Sequence, residues 1–165
     1  MGKVILLCGK ICSGKTHYAA RLLSETGGVL LSCDEIMFGL DLDRLLNHLE
    51  DVHAVMIPKI QHYLYKKATE IVIAGPDVVL DFGFWSRQER KAVSKYFSDR
   101  HIPYEWHYIH VSRETWAQNI AERNRNRPAD TAAYELNDRL LAKMERQFEE
   151  PLPGEVDVWF NNERV

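Results

Sequence analysis

Cysteine is scarce in this chain: three residues in 165, Cys8, Cys12 and Cys33, with no C-x-x-C spacing. Three cannot all pair, and reduced thiols in a cytoplasm are the simple reading. No run of 18 apolar residues occurs, so no membrane-spanning helix is expected. Met1-Gly2-Lys3 leads straight into a first strand, so no signal peptide is expected either. Positive charge is not in surplus. The net charge of -3 gives no general drive toward nucleic acid or a membrane surface, so any basic site has to be local. The seven histidines include no H-E-x-x-H, and His107 and His110, three apart on a strand, point to opposite faces. No internal repeat, low-complexity segment or linker appears, and the length suits one domain.

What is present is concentrated near the start. Gly9-Lys10-Ile11-Cys12-Ser13-Gly14-Lys15-Thr16 fits G-x-x-x-x-G-K-[ST], a phosphate-binding loop. Val4 to Cys8 is a continuous apolar run before it, and Ala19, Leu22 and Leu23 mark a helix after it. Strand, glycine loop and helix are the context the motif needs. Gly9 and Gly14 let backbone N–H groups turn inward as an anion nest, with Ile11, Cys12 and Ser13 between them. The following helix start favours phosphate. Lys15 is expected at the β- and γ-phosphates of ATP, and Thr16 on Mg2+. Cys12, inside the loop, is either a tolerated small side chain or an oxidation-sensitive one.

Alternating strands and helices follow, which argues an α/β fold with a parallel sheet covered on both faces. The first helix spans about 15–25 and ends at Gly27-Gly28. A second strand, Val29 to Ser32, delivers Asp34 beside the loop. Residues 35–50 read as a short helix or two broken at Gly39. A long helix over 52–74 either begins near Pro58 or kinks there. Asp77 to Phe82 is the third strand, and Ser86 with Glu89 forms a capping box for a helix over 86–100. A fourth strand covers Tyr104 to Val111, and Ser112 opens another helix whose apolar side is Trp116 and Ile120. A last helix is expected over 134–148 and a fifth strand over Val156 to Phe160.

Three candidates gather around the loop. Asp34 can take the proton of an attacking hydroxyl, or cap a helix starting at Glu35, and the two roles can coexist. Asp81 ends an apolar strand, where an acid helps hold Mg2+; a strand-ending turn residue is the plain alternative. Arg123-Asn124-Arg125-Asn126-Arg127-Pro128 is the only concentrated basic patch. Arg123 and Arg127 share a face where helix gives way to loop, as in a lid over approximately 123–133, or they offset a helix dipole. Arg87 and Arg90 belong to a solvated helix face or contact an anionic acceptor.

These stretches resemble the small P-loop kinases of the nucleotide-kinase group: polynucleotide-kinase-like, zeta-toxin-like and chloramphenicol-phosphotransferase-like proteins, and bacterial AAA-type ATP-binding proteins. The resemblance is carried by Gly9 to Thr16, Leu31 to Glu35, Val78 to Arg87, Glu122 to Arg127 and Gln147 to Pro151. It implies a three-layer P-loop fold with a five-stranded parallel sheet in the order 2-3-1-4-5. It also implies a base at Asp34, contacts to phosphate and Mg2+ at Lys15 and Thr16, and a lid arginine at Arg123. Where polynucleotide kinases tend to have Asp-Ala-Thr-Asn-like sequence, this chain has Asp81-Phe82-Gly83-Phe84-Trp85, which disfavours a nucleic-acid acceptor.

The expectation is an ATP- and Mg2+-dependent kinase acting on a hydroxyl of a small molecule, held over residues 35–60 with Met37 and Phe38 as walls. An ATP-binding switch or ATPase working through a protein partner is the second reading, and a polynucleotide or nucleoside kinase the third. A GTPase is disfavoured because no N-K-x-D or suitable D-x-x-G occurs. Asp81-Phe82-Gly83 spells D-F-G, but no H-R-D accompanies it and the chain is too short for two kinase lobes. No second helical domain remains for a ring-forming motor. The sequence carries no sign of oligomeric state.

Overall fold

The computed structural model describes residues 1–46, 52–126, 136 and 138–163. Its elements run β1 (Val4–Cys8), α1 (Lys15–Thr26), β2 (Val29–Ser32), α2 (Cys33–Gly39), α3 (Leu42–Leu45), α4 (Val52–Ala74), β3 (Val78–Gly83), α5 (Arg87–Ser98), β4 (Tyr104–His110), α6 (Arg113–Arg125), α7 (Asp138–Gln147) and β5 (Val158–Asn161). The five strands form one sheet in the order β2-β3-β1-β4-β5, and every pairing is parallel. This is the α/β architecture and strand order the sequence and its resemblance imply.

β1 is central and all five of its residues are buried, so it reads as an unbroken apolar run rather than an alternation. Its two faces feed two cores. Val4, Leu6 and Cys8 pack with Ala68 and Val72 of α4 and Val93 and Phe97 of α5. Ile5 and Leu7 face the other way, against Tyr18 and Ala19 of α1. Helices therefore cover both faces. None of the described helices is long and apolar enough to cross a membrane.

Several local expectations are adjusted. α4 begins at Val52, so Pro58 lies inside it rather than at its start. The missing N–H at Pro58 falls only six residues in, while the stripe of Ile60, Leu64, Ala68 and Val72 that anchors the helix lies after it. Ser86 caps α5 by accepting from the Glu89 N–H at 3.1 Å, yet the Glu89 side chain does not return the bond. It accepts instead from Gln61 Nε2 on α4, at 3.2 Å, so the box is half formed and its acid serves a tertiary contact. Met37 does not wall a pocket. It is 2% exposed and packs with Cys33, Ile60 and Leu64.

Candidate phosphate-binding site

The loop leaves the C-terminal end of β1, where Gly9 N–H donates to the Gly83 carbonyl of β3 at 3.1 Å. Four of its carbonyls each have a side-chain donor. Lys15 Nζ reaches the Lys10 carbonyl at 2.7 Å, and the Trp116 indole N–H reaches the Ile11 carbonyl at 2.7 Å. Asn119 Nδ2 holds the Cys12 carbonyl at 2.9 Å, and Asn162 Nδ2 holds the Ser13 carbonyl at 2.8 Å. These donors fix the loop backbone, and Ser13 N–H donates within it to the Lys10 carbonyl at 3.2 Å; a fixed loop with further N–H groups is what an anion nest needs.

The helix that follows is prepared for the same purpose. α2, α5 and α6 each begin with a serine, Ser32, Ser86 and Ser112, whose hydroxyl takes a backbone N–H. α1 has no side-chain cap and begins at Gly14, in the left-handed region at φ 94. A methyl group on Gly14 would collide with the Asn162 amide, so glycine is required there by both backbone and space. The uncapped N–H groups are those that phosphate satisfies in such loops. Ser13 Oγ is buried without a hydrogen-bond partner, a polar atom inside the loop with capacity to spare. These features fit a nucleotide's phosphates.

Thr16 Oγ1 donates to Asp81 Oδ2 at 3.2 Å. The structure thus brings together the two residues expected on Mg2+. Asp81 reaches the loop because β3 pairs with β1, Leu7 opposite Asp81, and on its other side β2 pairs with β3, Ser32 opposite Asp81. That pairing also carries Asp34 to the same sheet end, two residues past Ser32. The cap of α2 is Ser32, which accepts from Glu35 N–H at 3.4 Å, so Asp34 is not the cap and lies exposed in the helix's first turn.

Arg123 is on the last turn of α6, and its Nη1 lies 3.7 Å from Cys12 Sγ, against the loop. Arg127 and the lid beyond it, together with residues 47–51 of the acceptor segment, lie outside the described residues. Arg90 is neither solvated nor free for a ligand. It is 4% exposed and donates to the Phe84 and Trp85 carbonyls at 3.1 and 3.3 Å. Arg87 pairs with Glu155 at 2.9 Å. These contacts correct the expectation for Arg90, whereas the Arg87 side chain, paired with Glu155, stays 42% exposed on the helix face.

Burial dominates the titration of two thiols. It pushes Cys8 up to about 11, with Arg90 and Lys15 pulling the other way. Cys33 rises to about 12, first through burial and then through the charges of Asp34, Glu89 and Asp81. Both stay protonated and unreactive. Cys12 is half-buried, in a left-handed conformation at φ 57.

Three functional residues escaped the sequence reading: Asn119, Asn162 and the indole N–H of Trp116. Trp116 reads as an ordinary apolar position, and nothing local marks the asparagines. Their partners lie 105 to 149 residues away.

Fold and loop define a P-loop protein with a kinase-type α/β core. The chain belongs to the family described as AAA domain, which matches residues 4–151. No curated protein matches it in sequence. Among solved structures it is similar to Kti12 of Chaetomium thermophilum bound to ADP-AlF3, with 17% identity, 97% of this chain and 88% of that one covered, and a TM-score of 0.69. It is similar to the APS kinase of Mycobacterium tuberculosis bound to AMPPNP and APS, with 16% identity, 99% and 90% coverage and a TM-score of 0.63. A sugar kinase from Janibacter sp. shares 13% identity over 99% of this chain and 86% of that one, with a TM-score of 0.62.

Proposed function

We propose that the chain is an ATP-dependent phosphotransferase that moves the γ-phosphate of ATP to a hydroxyl of a small-molecule acceptor. The observation that carries this reading is the Thr16–Asp81 contact at 3.2 Å on the sheet end that also bears Asp34. A phosphate cradle, an Mg2+ position and a carboxylate for an acceptor proton then share one edge. The kinases among the structural neighbours lend support through the shared fold.

ATP would supply the phosphoryl group, and Mg2+ when bound would supply charge neutralisation at its phosphates. The protein's part is positioning. Lys15 leaves the Lys10 carbonyl, its partner at 2.7 Å, and turns to the phosphate oxygens. Thr16 and Asp81, already in contact, would hold Mg2+. Asp34 orients the acceptor hydroxyl and takes its proton as oxygen bonds to phosphorus and the bond to the β-phosphate oxygen breaks. Arg123, already against the loop, supports the charge spread over the transferring group, with Arg127 assigned alongside it. The acceptor is assigned to the side of α2 and α4. There an open groove of about 680 Å³ is lined by Glu35, Ile36, Gly39, Leu40, Lys59, Ile60 and Tyr63.

ATP consumption measured over a panel of hydroxyl acceptors tests the reading, with Asp34→Asn as the variant. Transfer should fall by roughly 10²- to 10⁴-fold, the usual worth of a positioned base, while ATP affinity stays unchanged. If no acceptor stimulates turnover and the variant matches the wild type, the partner-coupled ATPase replaces the kinase.

A further inference from the structure

The phosphate loop carries two lysines. Lys15 closes the motif, and Lys10 follows its first glycine. The Lys10 backbone is pinned, since its carbonyl accepts Lys15 Nζ at 2.7 Å and Ser13 N–H at 3.2 Å. Its side chain is held differently. The ammonium lies 4.8 Å from the centroid of the Trp116 ring and 5.8 Å from that of Phe148. Among the described residues it has no hydrogen bond and no ion pair.

Both rings are fixed by contacts of their own. Trp116 is 7% exposed and donates to the Ile11 carbonyl at 2.7 Å. Phe148 follows the end of α7 and stacks on Tyr108, with centroids 6.1 Å apart. Glu149 N–H, bonded to the Trp85 carbonyl at 2.8 Å, holds that end of the helix in place. The two acids after Phe148 have other partners. Glu149 accepts from Arg87 N–H, and Glu150 accepts from the Tyr108 hydroxyl at 3.2 Å. The rings thus form a shelf between α6 and α7, bearing a half-buried cation with no acid paired to it among the described residues. An aromatic face attracts an ammonium modestly. A charge-assisted hydrogen bond to an anionic oxygen is among the strong contacts.

Lys15 indicates which anion would reach Lys10. The Lys15 ammonium rests on the Lys10 carbonyl, across the loop from the start of α1. That ammonium is the one expected at the β- and γ-phosphates. The Lys10 end of the loop is therefore the end toward the terminal phosphate.

Resting on the reading that the loop binds ATP for transfer, we propose that Lys10 is a second phosphate-binding cation of the loop. With a nucleoside triphosphate bound, its ammonium leaves the Trp116 and Phe148 rings and bonds an oxygen of the γ-phosphoryl group. No acid has to be displaced first, because the rings hold the charge ready beside the loop. A diphosphate puts no oxygen at that place, so the ammonium stays on the rings. Lys10 thereby lets the site tell ATP from ADP.

Two measurements test this, and neither needs an acceptor. The first titrates AMPPNP and ADP, each with Mg2+, into the wild type and Lys10→Met. Methionine keeps an unbranched side chain on the rings and removes the charge. AMPPNP affinity should fall tenfold or more while ADP affinity changes less than twofold, and Lys10→Arg should recover part of the loss. Equal losses for the two nucleotides overturn the proposal. So does a fall in Tm with unchanged binding of both, which would mean that the ammonium serves the rings alone. The second measurement uses the unaltered protein. Amine-reactive labelling read by mass spectrometry should show Lys10 protected several-fold more by AMPPNP than by ADP, with the exposed Lys91 of α5 as reference. Equal protection overturns the proposal whether or not the variants fold. The kinase reading falls separately. If no acceptor stimulates turnover and Asp34→Asn matches the wild type, the contact of Lys10 with the γ-phosphate is still decided by these two measurements. If neither nucleotide binds, both readings fall.

Discussion

The three thiols differ in ways that follow from where each side chain was forced to go. Cys8 is the last residue of a fully buried central strand, and Cys33 packs with Met37 and Leu64 under α2. Burial raises both acids, and for Cys33 three carboxylates add to it. The thiolate is the reactive form, so both are inert at neutral pH. Cys12 is half-buried on the loop itself. Alkylation of the native protein at neutral pH should therefore modify Cys12 first, with Cys8 and Cys33 reacting only after unfolding. Mass spectrometry of the modified peptides reads this directly, and early labelling of Cys33 would contradict the burial. ATP should slow the Cys12 reaction, since phosphates occupy the loop that presents it. The neutral thiols are also linked to stability. Their raised folded-state values mean that a contribution present below about 9 is lost as pH climbs toward 11 and 12.

At the scale of elements, the segment after β3 depends on one buried guanidinium. Phe84 adopts φ 44, in the left-handed region that a bulky residue avoids, and is itself fully buried. Arg90 holds the carbonyls of Phe84 and Trp85 from below, and Glu149 N–H takes the Trp85 carbonyl at 2.8 Å from the other side. Arg90→Met keeps the volume but strips the buried Phe84 carbonyl of its guanidinium donor, leaves the Trp85 carbonyl with Glu149 N–H alone, and leaves Glu155 short of a partner. It should cost about 2–4 kcal/mol, visible as a fall in Tm, because unpaired buried polar groups retain their full desolvation cost. Arg90→Lys should recover only part of this, since an ammonium lacks the planar fork. Elements of this kind mark the limit of what the sequence discloses. The loop, its flanking strand and helix, and the acids ending β2–α2 and β3 were legible because each is a local pattern of a few residues. The strand order came from resemblance. Arg90 looked like a surface residue because four positively charged side chains on one helix read as a solvated face. Only the approach of Glu155, 65 residues later, shows that one of them turns inward. The donors to the loop carbonyls were invisible for the same reason: a hydrogen bond to a backbone carbonyl leaves no signature in the sequence.

For the whole molecule, the last described residues close the site from a distance. After β5, Asn162 N–H pairs with the His110 carbonyl at 2.9 Å while its side chain holds Ser13. The next residue, Glu163, takes Ser112 N–H at 2.8 Å, Ser112 Oγ at 2.9 Å and Thr115 Oγ1 at 2.8 Å. A carboxylate is thus fixed at the N-terminus of α6, where the helix dipole also favours it. α6 carries Trp116, Asn119 and Arg123, so a single dipeptide ties the loop, the sheet edge and the arginine-bearing helix together. The hydrogen bonds from Thr115 and Ser112 hold the Glu163 carboxyl below its ordinary value of 4.5. A depressed acid contributes stability that is present above the unfolded value and lost as pH falls through the folded one. Glu163→Gln keeps an acceptor oxygen and removes the charge. The variant should melt below the wild type at neutral pH, and the gap should close as pH falls below 4.5 and the wild-type carboxylate is protonated. If the gap is unchanged in acid, Glu163 acts by shape alone. Removing both residues goes further. A chain ending at Asn161 frees the Ser13 carbonyl and at once removes the carboxylate that holds Ser112 and Thr115 at the start of α6. ATP affinity should fall together with Tm, whereas Glu163→Gln should lower Tm with little effect on ATP, because only Asn162 touches the loop. Calorimetric melting and ATP titration on the same two variants separate the tail's role in holding α6 from its role in shaping the phosphate cradle.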